Sequence, residues 1–190
     1  METVLFLLVY LVALIVVMYT LRNELTQTLW RIVFSLLLVV GITYVLKFGI
    51  TAFTVKALTL LLILFYASIK DLLHREVPDF VSVMILILAI SDIFVASIGN
   101  MILGFLVVFV PQIVIAMIFP KKSIGGADIK ISSCSAFLLG AEKGVLALII
   151  GLAIAVIVIT VLSKLKFHNK NEPFPLVPFL AVGILSAYLI

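Results

Sequence analysis

Residues 144–163 read GVLALIIGLAIAVIVITVLS, an apolar run that contains no charged side chain. A helix of this length measures about 30 Å, which matches the thickness of the hydrocarbon core of a bilayer. The alternation of apolar and polar residues typical of barrel strands is absent, and a single segment in lipid must satisfy its backbone polar groups internally. The run therefore predicts a membrane-spanning helix.

Comparable apolar runs recur along the whole chain. Of its 190 residues, 65% are hydrophobic and only 12% are charged, a composition outside the range of soluble domains. The first run follows the acidic Glu2 and not a basic segment, so it is predicted to be a retained helix. The predicted fold class is all-α, a polytopic transmembrane helical bundle of about eight spans. These spans are 3–21, 31–46, 54–69, 80–96, 101–119, a short sixth at 129–140, 144–163 and 175–190.

The basic residues are distributed unevenly among the connections between these spans. Ten of the 13 Lys and Arg residues fall in the first, third, fifth and seventh connections. Short cytoplasmic loops are enriched in such residues, so these connections are predicted to be cytoplasmic and both termini external. The net charge of +4 then reflects the orientation of the chain in the membrane, and no nucleic-acid partner is expected. The ten residues are Arg22, Arg31, Lys70, Arg75, Lys121, Lys122, Lys130, Lys164, Lys166 and Lys170.

Two aspartates stand out among the nine acidic residues. Asp71 ends the third span, and Asp128 begins the sixth span after three small residues. Both lie on the predicted cytoplasmic side, so they can meet. Two carboxylates in a partly dehydrated site share a proton, which is the chemistry by which aspartic proteases activate water. The positive end of the sixth helix favours Asp128 as the ionised base. The same pair also suits a cation pathway, or two helix-end charges without catalytic role.

Three segments carry a resemblance to a known family. Residues 71–79, DLLHREVPD, resemble the first motif of type IV prepilin peptidases and archaeal preflagellin peptidases, which are G-x-G-D intramembrane aspartic proteases. Residues 125–130, GGADIK, resemble the second motif of that family, with Ala127 in place of its second glycine. Residues 175–181, PLVPFLA, are similar to the stretch that opens the family's last helix. Asp79 stands where the family has asparagine, and Val177 where it has glycine.

The resemblance implies a division of labour along the chain. Residues 54–190 would form the six-helix aspartic peptidase core, with Asp71 and Asp128 catalytic and Gly125, Gly126 and Lys130 as supporting motif residues. Residues 1–53 would form two accessory transmembrane helices. The implied substrates are pilin-like or flagellin-like precursors of type IV pilus systems and related filaments, cleaved at the cytoplasmic face of the plasma membrane.

We also expect the chain to lack a second enzymatic activity and to need no metal or cofactor. The connection at residues 22–30 is too short for the soluble insertion of many bacterial relatives, so no N-methyltransferase activity is expected. The single cysteine, Cys134, lies in an apolar stretch and excludes a disulfide framework or a zinc cluster, and no metal or cofactor is expected. Two other functions stay open: a small cation transporter or channel that uses the same aspartates, and a non-catalytic relative that acts as a membrane scaffold.

Overall fold

Regular structure in the described part of the chain is entirely helical, which confirms the predicted all-α class. The computed structural model describes residues 2–22, 24–91, 97–119, 125–165 and 174–190. Lys121, Lys122, Lys166 and Lys170, which support the predicted orientation, lie outside these residues. The helices are α1 (Glu2–Thr20), α2 (Gln27–Phe48), α3 (Ala52–His74), α4 (Phe80–Ile90), α5 (Ile98–Ile118), α6 (Gly126–Leu139), α7 (Ala141–Lys164) and α8 (Val177–Leu189).

Length and composition identify the helices that suit a bilayer. Four of them, α2, α3, α5 and α7, are long and apolar enough to cross a membrane, and α1, α4 and α8 contain shorter apolar segments. The chain is thus a multi-pass helical membrane protein. Two bounds differ from the predicted spans in a way that affects the candidate site. Because α3 continues to His74, Asp71 lies inside its last turn, and because α6 begins at Gly126, Asp128 lies inside its first turn.

The helices group into two compact units, Met1–Leu62 and Ile63–Ile190. In the first unit α1 packs against α2. The Tyr10 hydroxyl donates a 2.9 Å hydrogen bond to the carbonyl oxygen of Leu37, and the Trp30 indole N–H donates one of 2.8 Å to that of Met18. The predicted division after residue 53 into accessory helices and peptidase core stays a prediction.

In the second unit, α6 is the central helix. It packs against α4, α5, α7 and α8, and eight of its 14 residues are buried. Because these neighbours replace lipid around it, α6 does not need a wholly apolar sequence. It therefore accommodates Ser132, Ser133 and Ser135, as well as the buried Cys134.

The backbones of α7 and α8 touch where small residues face each other. A Cβ atom at Gly183 would collide with the carbonyl oxygen of Ala147 and lie 2.7 Å from the backbone nitrogen of Gly151. Small residues permit this close approach, a common way for helices to associate in membranes. The contact fixes the position of α8, and with it the position of its first residue, Val177.

Candidate active site

The side chain of Asp71 is held at the start of α8. Its Oδ2 atom accepts a 2.9 Å hydrogen bond from the backbone N–H of Val177, which lies 106 positions further along the chain. Val177 is fully buried, and Asp71 is only 8% exposed. The N-terminus of a helix presents unpaired N–H groups and partial positive charge, so it stabilises a carboxylate. The next residue, Pro178, has no N–H to offer.

The end of α3 places Asp71 in its last turn. Arg75 adopts a left-handed conformation with φ of 58°, and its N–H donates a 2.9 Å hydrogen bond to the carbonyl oxygen of Asp71. Such a left-handed residue is a common way to end a helix, although glycine usually occupies it. Arg75, which the sequence analysis counts among the basic residues of the predicted cytoplasmic connections, therefore also closes the helix that carries Asp71.

Asp128 is the third residue of α6, and its carboxylate turns back toward the start of that helix. It accepts a hydrogen bond from the backbone N–H of Gly125, which is the N-cap residue. This is the side-chain half of a capping box. A Cβ atom at Gly125 would lie 2.7 Å from Oδ2 of Asp128, whereas one at Gly126 would meet open space. Of the two motif glycines, only Gly125 has a side-chain atom in the place of an added Cβ, so a substitution there must displace the Asp128 carboxylate.

The alanine in place of the second motif glycine causes no strain. Arg75 is the one non-glycine residue with positive φ among those described, so Ala127 has an ordinary negative φ. Its methyl group is half-buried within the first turn of α6. The departure of this segment from G-x-G-D is thus structurally tolerated.

Two effects perturb Asp128. Burial, and after it the negative charge of Asp71, raise the pKa of Asp128 to about 7, and the hydrogen bond from Gly125 only partly opposes them. The charge of Asp71 thus acts on Asp128, and their role as a catalytic pair stays a prediction. The sequence-based preference for Asp128 as the ionised member stays a prediction, and desolvation opposes it by raising the pKa of this carboxyl despite the helix end.

Lys130 has a partner in the other motif. Its Nζ donates a 2.7 Å hydrogen bond to Oδ1 of Asp79, across 51 positions of sequence. Asp79 occupies the N-cap position of α4, but its side chain makes no capping hydrogen bond. The pair joins the first turn of α6 to the start of α4.

Two contributors to this region are not predicted from the sequence. The sequence points to the segment around Val177, but it does not predict that the backbone N–H of Val177 binds Asp71. Gln112, buried in α5, was not singled out, although a lone amide in an apolar run is unusual enough in a membrane helix to indicate a role. The Ser132 hydroxyl, one turn beyond Asp128, donates a 3.0 Å hydrogen bond to Oε1 of Gln112. No group of three or more His, Cys, Asp or Glu side chains suited to a metal ion occurs among the described residues.

The segment that contains both aspartates matches a known protein family. Residues 58–161, more than half of the chain, match the type IV leader peptidase family. The matched segment contains Asp71, Asp79, Asp128 and Lys130, and it ends before α8. No curated protein and no solved structure matches the chain. The extent of the family match, over the segment that contains both aspartates, shows that this chain belongs to the type IV leader peptidase family.

Proposed function

We propose that the chain is an aspartic endopeptidase that removes short basic leader peptides from pilin-like or flagellin-like precursors. One observation carries the proposal: the two carboxylates of the matched segment, Asp71 and Asp128, lie near enough for the charge of one to raise the pKa of the other. Such coupling is what a pair that shares a proton requires.

The surroundings of the two carboxylates suggest different roles. Asp71, bonded to the Val177 N–H at the positive end of α8, is the ionised base. Asp128, with its pKa raised to about 7, keeps a proton near neutral pH and is the acid. Asp71 removes a proton from water as the water oxygen attacks the scissile carbonyl carbon, and Asp128 protonates the carbonyl oxygen. As the tetrahedral intermediate collapses and the C–N bond breaks, Asp128 takes back a proton from one hydroxyl of the intermediate and Asp71 donates its proton to the leaving amine.

The location of the reaction follows from the distribution of charge. The basic connections favour a cytoplasmic position for the end of α3 and the start of α6, hence an active site at the cytoplasmic face of the plasma membrane. A precursor with an apolar helix behind its leader would lie in the bilayer and present the basic leader to the two aspartates. We expect peptidase activity without N-methyltransferase activity.

Co-expression with a candidate precursor tests the proposal. Wild type should shorten the precursor, whereas Asp71→Asn and Asp128→Asn should abolish processing. Asp79→Asn is a matched control, because it removes a carboxylate that is 77% exposed and leaves the amide found in the family. Processing that persists in either active-site variant would refute the mechanism. Aspartate-dependent cation flux without processing would favour the transporter, and the absence of both activities would favour the scaffold.

A further inference from the structure

A cavity of about 390 Å³ opens beside the connection between α1 and α2. Two guanidinium groups, an amide and two aromatic rings border it, and Glu24 of the same connection is not among its lining residues. The lining residues are Ile15, Tyr19, Arg22, Gln27, Trp30 and Arg31. The cavity thus combines concentrated positive charge with aromatic side chains of the kind enriched at the membrane interface.

Hydrogen bonding and stacking hold one wall of this cavity in place. The Trp30 indole donates its N–H to the carbonyl oxygen of Met18 at 2.8 Å, which ties α2 to the last turns of α1. The same ring stacks on Phe34 with a centroid separation of 5.5 Å. The side chains that flank the two arginines are therefore ordered by contacts within the unit.

A second, shallow cavity of about 540 Å³ begins at Arg31 and follows one face of α2. Beyond Arg31 its lining is almost entirely aliphatic, and Ile32, Leu36 and Val39 are each more than half exposed. Arg31 borders both cavities, so the charged cavity and the apolar groove adjoin. Together the two cavities extend along α2, from the charged end near Arg31 into its apolar part.

The two cavities together indicate which chemical groups a ligand of this site would carry. Guanidinium groups bind phosphate oxygens through paired hydrogen bonds, and a groove of branched aliphatic side chains suits an acyl chain. A free phosphate would use the first cavity alone. We propose that α1 and α2 form a binding site for an anionic phospholipid, with its phosphate between Arg22 and Arg31 and one acyl chain along Ile32, Leu36 and Val39.

Native mass spectrometry of the full chain in detergent tests the charged half of the site. Phosphatidylglycerol should bind about 30-fold more tightly than phosphatidylcholine with the same acyl chains, since each basic residue near an anionic headgroup contributes a factor of about five. The Arg22→Gln, Arg31→Gln double variant should lose this preference. The control, Lys47→Gln with Lys56→Gln, makes the same change of net charge outside the cavity and should retain it. Equal binding of the two lipids by wild type, or a preference that survives in the arginine variant, would overturn the proposal.

A second pair of variants tests the groove without altering charge. Val39→Trp should fill the groove and weaken phosphatidylglycerol binding, whereas Leu46→Trp, at an exposed position of α2 that lines neither cavity, should not. Glycerol 1-phosphate should fail to displace the lipid, because it cannot occupy the groove. Unweakened binding by a folded Val39→Trp variant, or effective competition by glycerol 1-phosphate, would refute the lipid assignment. None of these measurements depends on peptidase activity.

Discussion

Val177 donates its backbone N–H to Oδ2 of Asp71 over 2.9 Å, which joins the start of α8 to the last turn of α3. Both residues are buried, so water does not readily replace this donor. The position of Val177 depends in turn on the close contact between α7 and α8 at Gly183. The state of Asp71 is therefore coupled to the position of α8, a helix that lies outside the segment matched to the family.

Substitution of Gly183 by alanine should lower both stability and cleavage. The new methyl group meets backbone atoms of α7, which cannot rotate away, so α8 must shift and carry Val177 with it. Overpacking of this kind destabilises by about 1–3 kcal/mol. Thermal unfolding and precursor processing measure the two effects. Val182→Ala, on the exposed face of the same helix, is the control and should remain close to wild type. A fully active Gly183→Ala variant would contradict the coupling.

The two glycines before Asp128 should respond differently to alanine. At Gly125 a Cβ atom would lie 2.7 Å from the Asp128 carboxylate, so Gly125→Ala should displace that carboxylate and abolish most cleavage. At Gly126 a Cβ atom would meet open space, and Gly126→Ala should cleave nearly as well as wild type. Processing assays on the two variants, matched for expression, make the comparison. Equal loss in both would show that chain flexibility, and not this steric contact, explains the motif.

Sequence predicted the local features of this protein better than its long-range contacts. Apolar runs located the eight helices found among the described residues, and the two motifs drew attention to Asp71 and Asp128, because these signals lie in neighbouring residues. The hydrogen bond from Val177 to Asp71 and the ion pair between Lys130 and Asp79 cross 106 and 51 positions, so no local pattern contains them. The burial that raises the pKa of Asp128 is likewise a product of tertiary packing.

Asp128 should make stability depend on pH. Its pKa is about 7 in the folded protein and 3.8 when unperturbed, so between these values the folded state binds more protons than the unfolded state. The free energy of unfolding should therefore decrease as pH rises through this window, and the contribution of protonated Asp128 is lost above about pH 7. Thermal unfolding between about pH 4 and 8 measures the effect, which Asp128→Asn should reduce. An unchanged pH dependence in that variant would exclude Asp128 as its source.

The same ionisation should limit cleavage. If Asp128 is the acid, processing by wild type should decline as pH rises above about 7, because the proton donor is lost. A pH profile of precursor cleavage in detergent, with unfolding monitored in parallel, separates catalysis from stability. Constant activity well above neutral pH would contradict the assignment of Asp128 as acid.

Lys130 and Asp79 should act as one unit, with a small effect on the rate of cleavage. Their side chains are 53% and 77% exposed, and exposed ion pairs contribute less than about 1 kcal/mol. Lys130→Ala and Asp79→Ala should each lower cleavage by less than about fivefold, and the double variant should be no worse than either single variant. A double-mutant cycle on processing rates measures the coupling. Strictly additive losses would show that the two residues act independently.

Gln112 should destabilise the bundle despite its hydrogen bond. Its Nε2 group is buried and has no partner among the described residues, and such an unsatisfied donor costs about 1–3 kcal/mol. The bond from Ser132 to Oε1 gains less, since side-chain hydrogen bonds between membrane helices average about 0.6 kcal/mol. Gln112→Met, nearly the same in volume, should therefore raise the thermal unfolding midpoint.

Substitution of Ser132, the residue that donates a hydrogen bond to Gln112, supplies the control. Ser132 also lies 2.7 Å from the carbonyl oxygen of Asp128 and 3.2 Å from that of Ile129, so it keeps acceptors when Gln112 is replaced. Ser132→Ala instead leaves Oε1 of Gln112 without its donor and should lower the unfolding midpoint. In the Gln112→Met background the same serine substitution should cost less, because no amide remains to be left unpaired. A lower unfolding midpoint in Gln112→Met would mean that the amide has a stabilising partner. Gln112 would then stabilise the bundle, contrary to this prediction.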